Sequence, residues 1–267
     1  MLGHFVKGAG ILGGGIAALV FHVGEAGRRR ARASWTTSYQ PTAQWNSNWD
    51  RRDPELCVRP PADSSEQEKS RYNEEVKKAK PTATRYLYLV RHGEFNVYEQ
   101  LDSDRTLTKL GRQQAELTGQ RLKQLGVPFT SLVHSTMTRA VETAGLIHEH
   151  LKQVPVTSCE LIREGEPMPP EPPFGIWKPQ SKFFADSARI EAGFRKHFHR
   201  APPCQKEDSH EIIVGHANAI RYFVCRALQV PPEAWSRMSL AHCSISVVKI
   251  APTGKVSLRS LGDAGHL

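Results

Sequence analysis

Arg91, His92 and Gly93 stand directly after the apolar run "RYLYLV", where a strand stops and a cation, an imidazole and a glycine follow. Two other places repeat the arrangement: Arg139 at the head of the segment after "SLVHS", and His216 after "EIIVG". In a doubly wound sheet, residues that follow successive strands converge on one crevice at the carboxyl edge. Two arginines there offer forked donors that fit a phosphoryl group, and helix N-termini add free N–H groups and positive potential. A neutral imidazole can attack phosphorus and hold the phosphoryl group covalently. A second, protonated imidazole could stabilise charge on the equatorial oxygens. Gly93 would let the backbone come close to the phosphate. A leaving alkoxide then needs a proton, and Glu164 and Glu166 of "REGEP" are the two candidates, provided burial raises the pKa of one of them. Each residue alone has a plainer use: Arg139 could pair with Glu142 on one helix face, and His216 could cap the helix that follows it. His148, His150, His197 and His199 read as solvated helix positions.

The elements that must hold these residues are legible from Pro81 onward. "RYLYLV" and "SLVHS" are strands. The spacing of Gly111, Ala115, Thr118, Leu122 and Leu125 predicts a helix from about Lys109, stopped by Gly126 and Pro128. Ala140, Ala144, Ile147 and Leu151 mark another, and Ile190, Phe194 and Phe198 a third. Between them "REGEPMPPEPPFGIWKP" is a Pro-rich loop, and loops of that kind inside a compact domain are usually functional or mobile. Strand "EIIVGH", helix "ANAIRYFVCRAL" and a hairpin of "SISVVKI" with "KVSLRSL" complete the chain. This alternation predicts an α/β fold, a three-layer sandwich with a mostly parallel central sheet.

Before Pro81 the composition differs. Residues 1–25 contain a stretch, Gly8 to Val23, of 16 residues without Asp, Glu, Lys or Arg, flanked by Lys7 and by "RRRAR". As a helix it would cover about 24 Å, short of a bilayer core of about 30 Å unless Phe5, Val6 and Lys7 extend it. It reads as a marginal membrane span or a targeting segment, and the Arg-rich, Ser/Thr-containing sequence after it is closer to mitochondrial than to secretory chemistry. Residues 26–80 have a linker composition in which a short charged helix carries Tyr72 and Val76 on one face. Within that tract, Trp45 and Trp49 of "WNSNWD" are costly to leave in water, so they either fold back onto the domain or dock into another protomer. The formal charge of +9 favours anionic partners. No nucleic-acid motif accompanies it, so no nucleic-acid partner is expected. The five cysteines are odd in number, widely spaced and without a Cys-x-x-Cys pair, which argues against a disulfide framework or a structural zinc site. Cys225 and Cys243 are expected to be buried.

"LVRHGE", "STMTRAVET", "LIREGEP" and "IIVGHANAIRYFVCRAL" resemble the histidine phosphatase superfamily, the phosphoglycerate mutase-like fold. The closer resemblance, through "WNSNWDRRDPE", "PPEPPFGIWKP" and the final "LGDAG", is to the mitochondrial PGAM5 family of protein serine/threonine phosphatases. It covers almost the whole chain and implies a catalytic domain over 81–267. His92 would be the phosphorylated nucleophile, Arg91, Arg139 and His216 the phosphate pocket, and Glu164 the proton donor, with no metal or other cofactor. The substrates implied are phosphoproteins. The family carries a single-pass N-terminal anchor in a mitochondrial membrane, expected here to be the outer one ahead of the inner. It also uses a Trp-Asp-Pro-Asn-Trp-Asp segment to assemble into more active homo-oligomers. Trp45, Trp49 and Asp50 match that segment, while Asn46-Ser47 replaces Asp-Pro and removes the rigidity of proline. The Asn-x-Glu-Ser-Gly-Glu motif by which some relatives bind a Kelch-type ubiquitin-ligase adaptor is absent, which puts that partner in doubt. Two rival functions remain. One is a phosphoglycerate mutase or small-metabolite phosphatase, although mutases continue after Arg-His-Gly-Glu with Ser-x-Trp-Asn where this chain has Phe95-Asn96-Val97-Tyr98. The other is an oligomeric mitochondrial scaffold.

Overall fold

In a computed structural model of the chain, residues 43–267 are described, other than 63, 64 and 176. Trp45–Leu267 forms one compact unit. The apolar stretch from Gly8 to Val23 lies outside the described residues. Among the described residues no helix is long and apolar enough to cross a membrane.

The chain enters through α1 (Pro54–Cys57) and α2 (Glu66–Ala79), capped by the side chains of Asp53 and Ser65. β1 (Arg85–Arg91) follows, then α3 (Lys109–Gln124), β2 (Phe129–Ser135), α4 (Thr138–Glu149) and β3 (Val156–Cys159). α5 (Gln180–His197), β4 (Ser209–Gly215), α6 (Ala217–Leu228), β5 (Ile245–Ile250) and β6 (Val256–Asp263) complete it. The six strands form one sheet in the order β3-β2-β4-β1-β5-β6. β3, β2, β4 and β1 run parallel, and the final hairpin adds β5 and β6 antiparallel.

Alternation along the strands sorts side chains to two faces. Leu87, Leu89, Ile213 and Val248 face α5 and α6, where Phe194, Phe198 and Phe223 fill the layer. Tyr88, Val90, Ile212 and Val214 face the other way, against Leu122 of α3 and Ala140, Ala144 and Ile147 of α4. The three-layer, mostly parallel α/β architecture expected from the sequence is thus present. β3 has no sequence signal, because it is a four-residue edge strand whose first three residues are exposed.

The tract with linker composition is partly built into the domain. Trp49 is buried against Phe194, with ring centroids 5.8 Å apart, and its Nε1–H donates to the Gly254 carbonyl at 2.8 Å. Asp50 and Arg200 bury their side chains to 0% and 1% exposure and pair through both carboxylate oxygens. Gly254, at φ +80, turns the β5–β6 connection where a Cβ would lie 2.6 Å from the Arg200 guanidinium. Trp49 therefore folds back onto its own domain, and Trp45, 45% exposed, is the tryptophan of the pair left facing outward.

Candidate active site

Register brings the sequence candidates to one level. Arg91 pairs with Gly215 across β1 and β4, and His134 pairs with Val214 across β2 and β4. His92, His216 and Ser135 consequently meet at the carboxyl edge, with the rings of His92 and His216 5.1 Å apart. The buried apolar runs of β1 and β4 end here because the next residues turn into loop and helix.

His92 is 2% exposed, and its orientation is fixed from both ends. Nδ1–H donates to the Gly93 carbonyl at 2.8 Å, so Nε2 carries the lone pair and accepts from Arg139 Nε–H at 3.2 Å. Burial, and then the charge of Arg139, hold its pKa well below the usual histidine value. His216 is likewise kept neutral by burial and by its proximity to His92. The protonated second imidazole expected from sequence is thus disfavoured by desolvation. The His216 side chain does not cap α6; Nε2 meets Ser135 Oγ at 2.8 Å. Ser135 Oγ also accepts from Met137 N–H at 3.3 Å; where it gives its own proton to His216 Nε2, the His216 proton sits on Nδ1. That Nδ1 is buried without a partner, as is Nε of Arg91. Buried polar atoms without partners are uncommon, and two at one site mark a place for a polar ligand.

Arg91 is braced by the Leu240 carbonyl at 2.6 Å and by His242 Nε2 at 2.9 Å. Arg139 does not pair with Glu142, which goes instead to Arg112 and to the Leu107 N–H. Its NH1 reaches Asp102 at 3.4 Å, and its guanidinium lies 4.6 Å from the centre of the Phe95 ring.

Glu164 and Glu166 separate cleanly. Glu166 forms an ion pair with Lys178. Glu164 accepts from the Gly165 and Asn218 N–H groups, while burial pushes its pKa up against the pull of Arg139 and Arg221. It lines a cavity together with Arg91. Glu164 therefore meets the condition set for a proton donor, a carboxyl whose pKa is raised, and it sits beside Arg91.

Gly93 has a packing reason of its own. A Cβ there would lie 2.5 Å from the Gly111 carbonyl oxygen, and one on Gly111 would lie 1.9 Å from the Glu94 carbonyl oxygen. The two glycines let the loop after β1 and the start of α3 touch backbone to backbone. The Gly93 N–H is already bonded to Thr143 Oγ1 at 3.0 Å.

Sequence reasoning missed Ser135, Asp102, Asn218, Arg221 and His242. Ser135 ends a strand beside two others that end in site residues, and Asn218 and Arg221 lie on the helix directly after His216, both usable signals; Asp102 and His242 join across 36 and 151 residues and have none. His197, read as solvated, is buried against Cys159. Cys225 and Cys243 are buried as expected, and all five cysteines are free. Among the described residues no three His, Cys, Asp or Glu side chains gather as a metal-ligand set.

Residues 87–169 and 187–263 match the family model described as the histidine phosphatase superfamily (branch 1). A curated protein named "Serine/threonine-protein phosphatase Pgam5, mitochondrial", from Drosophila ananassae, is 47% identical over 272 residues, covering 100% of this chain and 93% of its own. Its namesake from Drosophila willistoni is 50% identical over 240 residues, covering 88% and 82%. Among solved structures, phosphoglycerate mutase from Plasmodium falciparum superposes with a TM-score of 0.50 at 28% identity, covering 68% of this chain and 92% of that one.

Proposed function

Because the chain belongs to the histidine phosphatase superfamily and, within it, to the PGAM5 family, we propose that it hydrolyses phosphoserine and phosphothreonine in proteins through a covalent phospho-His92 intermediate. The observation that carries this reading is the fixed tautomer of His92: Nδ1–H is committed to the Gly93 carbonyl and Nε2 keeps its lone pair. Arg139 Nε–H now occupies that lone pair and would move to a phosphate oxygen once substrate is bound.

The steps balance as follows. His92 Nε2 attacks phosphorus and a P–N bond forms as the P–O bond to the serine or threonine oxygen breaks. Arg91, Arg139 and the Nδ1–H of His216 bind the equatorial oxygens, and Glu164, protonated, gives its proton to the leaving oxygen. Glu164, now a carboxylate, takes a proton from water as that water attacks phosphorus and the P–N bond breaks. Phosphate leaves and His92 is neutral again.

The cycle needs no metal, so the expected result is full turnover of phosphopeptides in excess chelator and none with His92→Ala. Loss of activity on chelation would overturn it. Turnover of phosphoglycerate without phosphopeptide activity would favour the metabolite enzyme instead. A His92→Ala protein that rescued a cellular defect would favour the scaffold. Placement at a mitochondrial membrane rests on the relatives' name and on the apolar stretch at Gly8 to Val23. Self-assembly would draw on exposed Trp45, with Trp49 and Asp50 fixing to the domain the strap, residues 45–50, that presents it.

A further inference from the structure

We propose that a cavity adjoining the phosphate pocket is a subsite for a second anionic group, a carboxylate or a phosphate, carried by the phosphopeptide close to the residue being dephosphorylated. The proposal rests on the protein phosphatase reading above. The cavity, of about 460 Å³, shares Arg91 and Glu164 with the pocket and extends over Asn218, Arg221, Ser236, Arg237 and Ser239. A group held there is therefore next to the transferring phosphoryl group.

The cavity gathers several cations. Elsewhere Arg85 with Glu211, Arg195 and Arg226 with Glu191, and Arg200 with Asp50 form direct ion pairs. The three arginines of the cavity do not. Arg91 bonds a carbonyl and an imidazole. Arg221 bonds the Ala217 and Met238 carbonyls and the Asn218 side chain, and Arg237 bonds the Glu171 carbonyl. A guanidinium has five N–H donors, so Arg221 keeps two for a ligand and Arg237 keeps four. Glu164 is the one carboxylate in the lining, and burial pushes it toward its neutral form. The cavity thus sets three arginines against one lining carboxylate, Glu164.

Arg221 is also held in place, unlike a cation of a solvated basic surface, while Arg237 is exposed at the rim and anchored by one hydrogen bond. Arg221 is fixed by its three hydrogen bonds and by the Trp235 ring, whose centre is 5.0 Å from the guanidinium carbon. Trp235 is fully buried and its Nε1–H donates to the Met168 carbonyl, while Glu171 N–H donates to the Glu233 carbonyl. These bonds clip the Pro-rich loop to the turn at Pro232–Arg237 and hold Arg237 over the cavity. Arrays of positioned cations select anionic partners more than they add raw affinity.

The test uses the full-length protein and three otherwise identical phosphoserine peptides, with neutral flanks, with a flanking glutamate and with a flanking second phosphoserine. Wild type, after a check that it hydrolyses p-nitrophenyl phosphate, is compared with Arg237→Ala and Arg237→Glu. The readout is the ratio of kcat/KM for each acidic peptide over the neutral one. Wild type should favour the acidic peptides by roughly five-fold, Arg237→Ala should reduce the ratio, and Arg237→Glu should bring it to about one or below. The two acidic peptides tell a carboxylate from a phosphate as the preferred anion. Equal rates for neutral and acidic peptides in wild type, or a preference that survives Arg237→Glu, would overturn the subsite. If p-nitrophenyl phosphate is hydrolysed and no peptide is, the protein phosphatase reading itself fails and the subsite falls with it.

Discussion

Two arginine centres in this molecule are buried to a similar degree and are built in opposite ways. At the strap, Arg200 is 1% exposed and its guanidinium is met by both oxygens of Asp50 and by the Ser47 carbonyl. At the carboxyl edge of the sheet, Arg139 is 4% exposed, yet its side-chain hydrogen-bond partners are a long contact to Asp102, a thioether and the lone pair of His92. The strap is satisfied within the chain. The pocket keeps polar atoms in reserve, including Arg91 Nε and His216 Nδ1. Satisfied buried charge specifies structure, and unsatisfied buried charge waits for a ligand.

The largest effect that separates the two centres is catalytic. His92→Ala should lower phosphatase turnover about a thousand-fold or more while the melting temperature changes little, because the nucleophile is lost from a site that the fold does not depend on. Unfolding of the variant would contradict that division. The reverse holds at the strap. Asp50→Ala leaves the Arg200 charge buried and unpaired and should cost about 3–5 kcal/mol in urea unfolding, with kcat on a small phosphomonoester nearly unchanged where the protein is folded. Replacing both partners with apolar residues should recover much of that loss, since the desolvation cost then disappears.

The pH dependences should differ too. Burial raises the Asp50 pKa, but the hydrogen bonds and charge of Arg200 outweigh it and hold the group below its usual value. Its contribution to stability is therefore complete above the unfolded pKa of about 4 and is lost as pH falls below it. In the pocket, His92 is shifted down and Glu164 up. Since the first must be neutral and the second protonated, turnover should persist well below pH 6.5 and decline as pH rises through the elevated pKa of Glu164. Glu164→Gln should lower kcat roughly a hundred-fold or more and remove that alkaline limb from the profile. The smallest effect is expected from Ser135→Ala, which frees His216 Nε2 and lets the ring change tautomer. It should reduce kcat/KM by about five-fold and cost about 1 kcal/mol of stability.

The sequence made the pocket more legible than the strap, for a physical reason. Arg91, His92 and His216 directly follow apolar strands and Arg139 heads the helix after another, so local pattern and sheet topology place them together. The choice between Glu164 and Glu166 needed coordinates, because burial and the Lys178 partner decide it. The contact of Gly93 is with Gly111, eighteen residues on, and no local pattern announces it. Asp50 meets Arg200 across 150 residues, and nothing in a polar, Pro-rich tract announces that such an ion pair will be buried. Long-range pairing of that kind has no periodicity to read.

The measurement that bears most directly on the central claim is a rapid-quench trapping experiment on the wild-type protein with a labelled phosphopeptide in excess chelator. The mechanism predicts label on the protein within a turnover, stable to alkali and labile to acid as a P–N bond is, located at His92 and absent from His92→Ala. Turnover without a labelled protein, or acid-stable label on another residue, would contradict it.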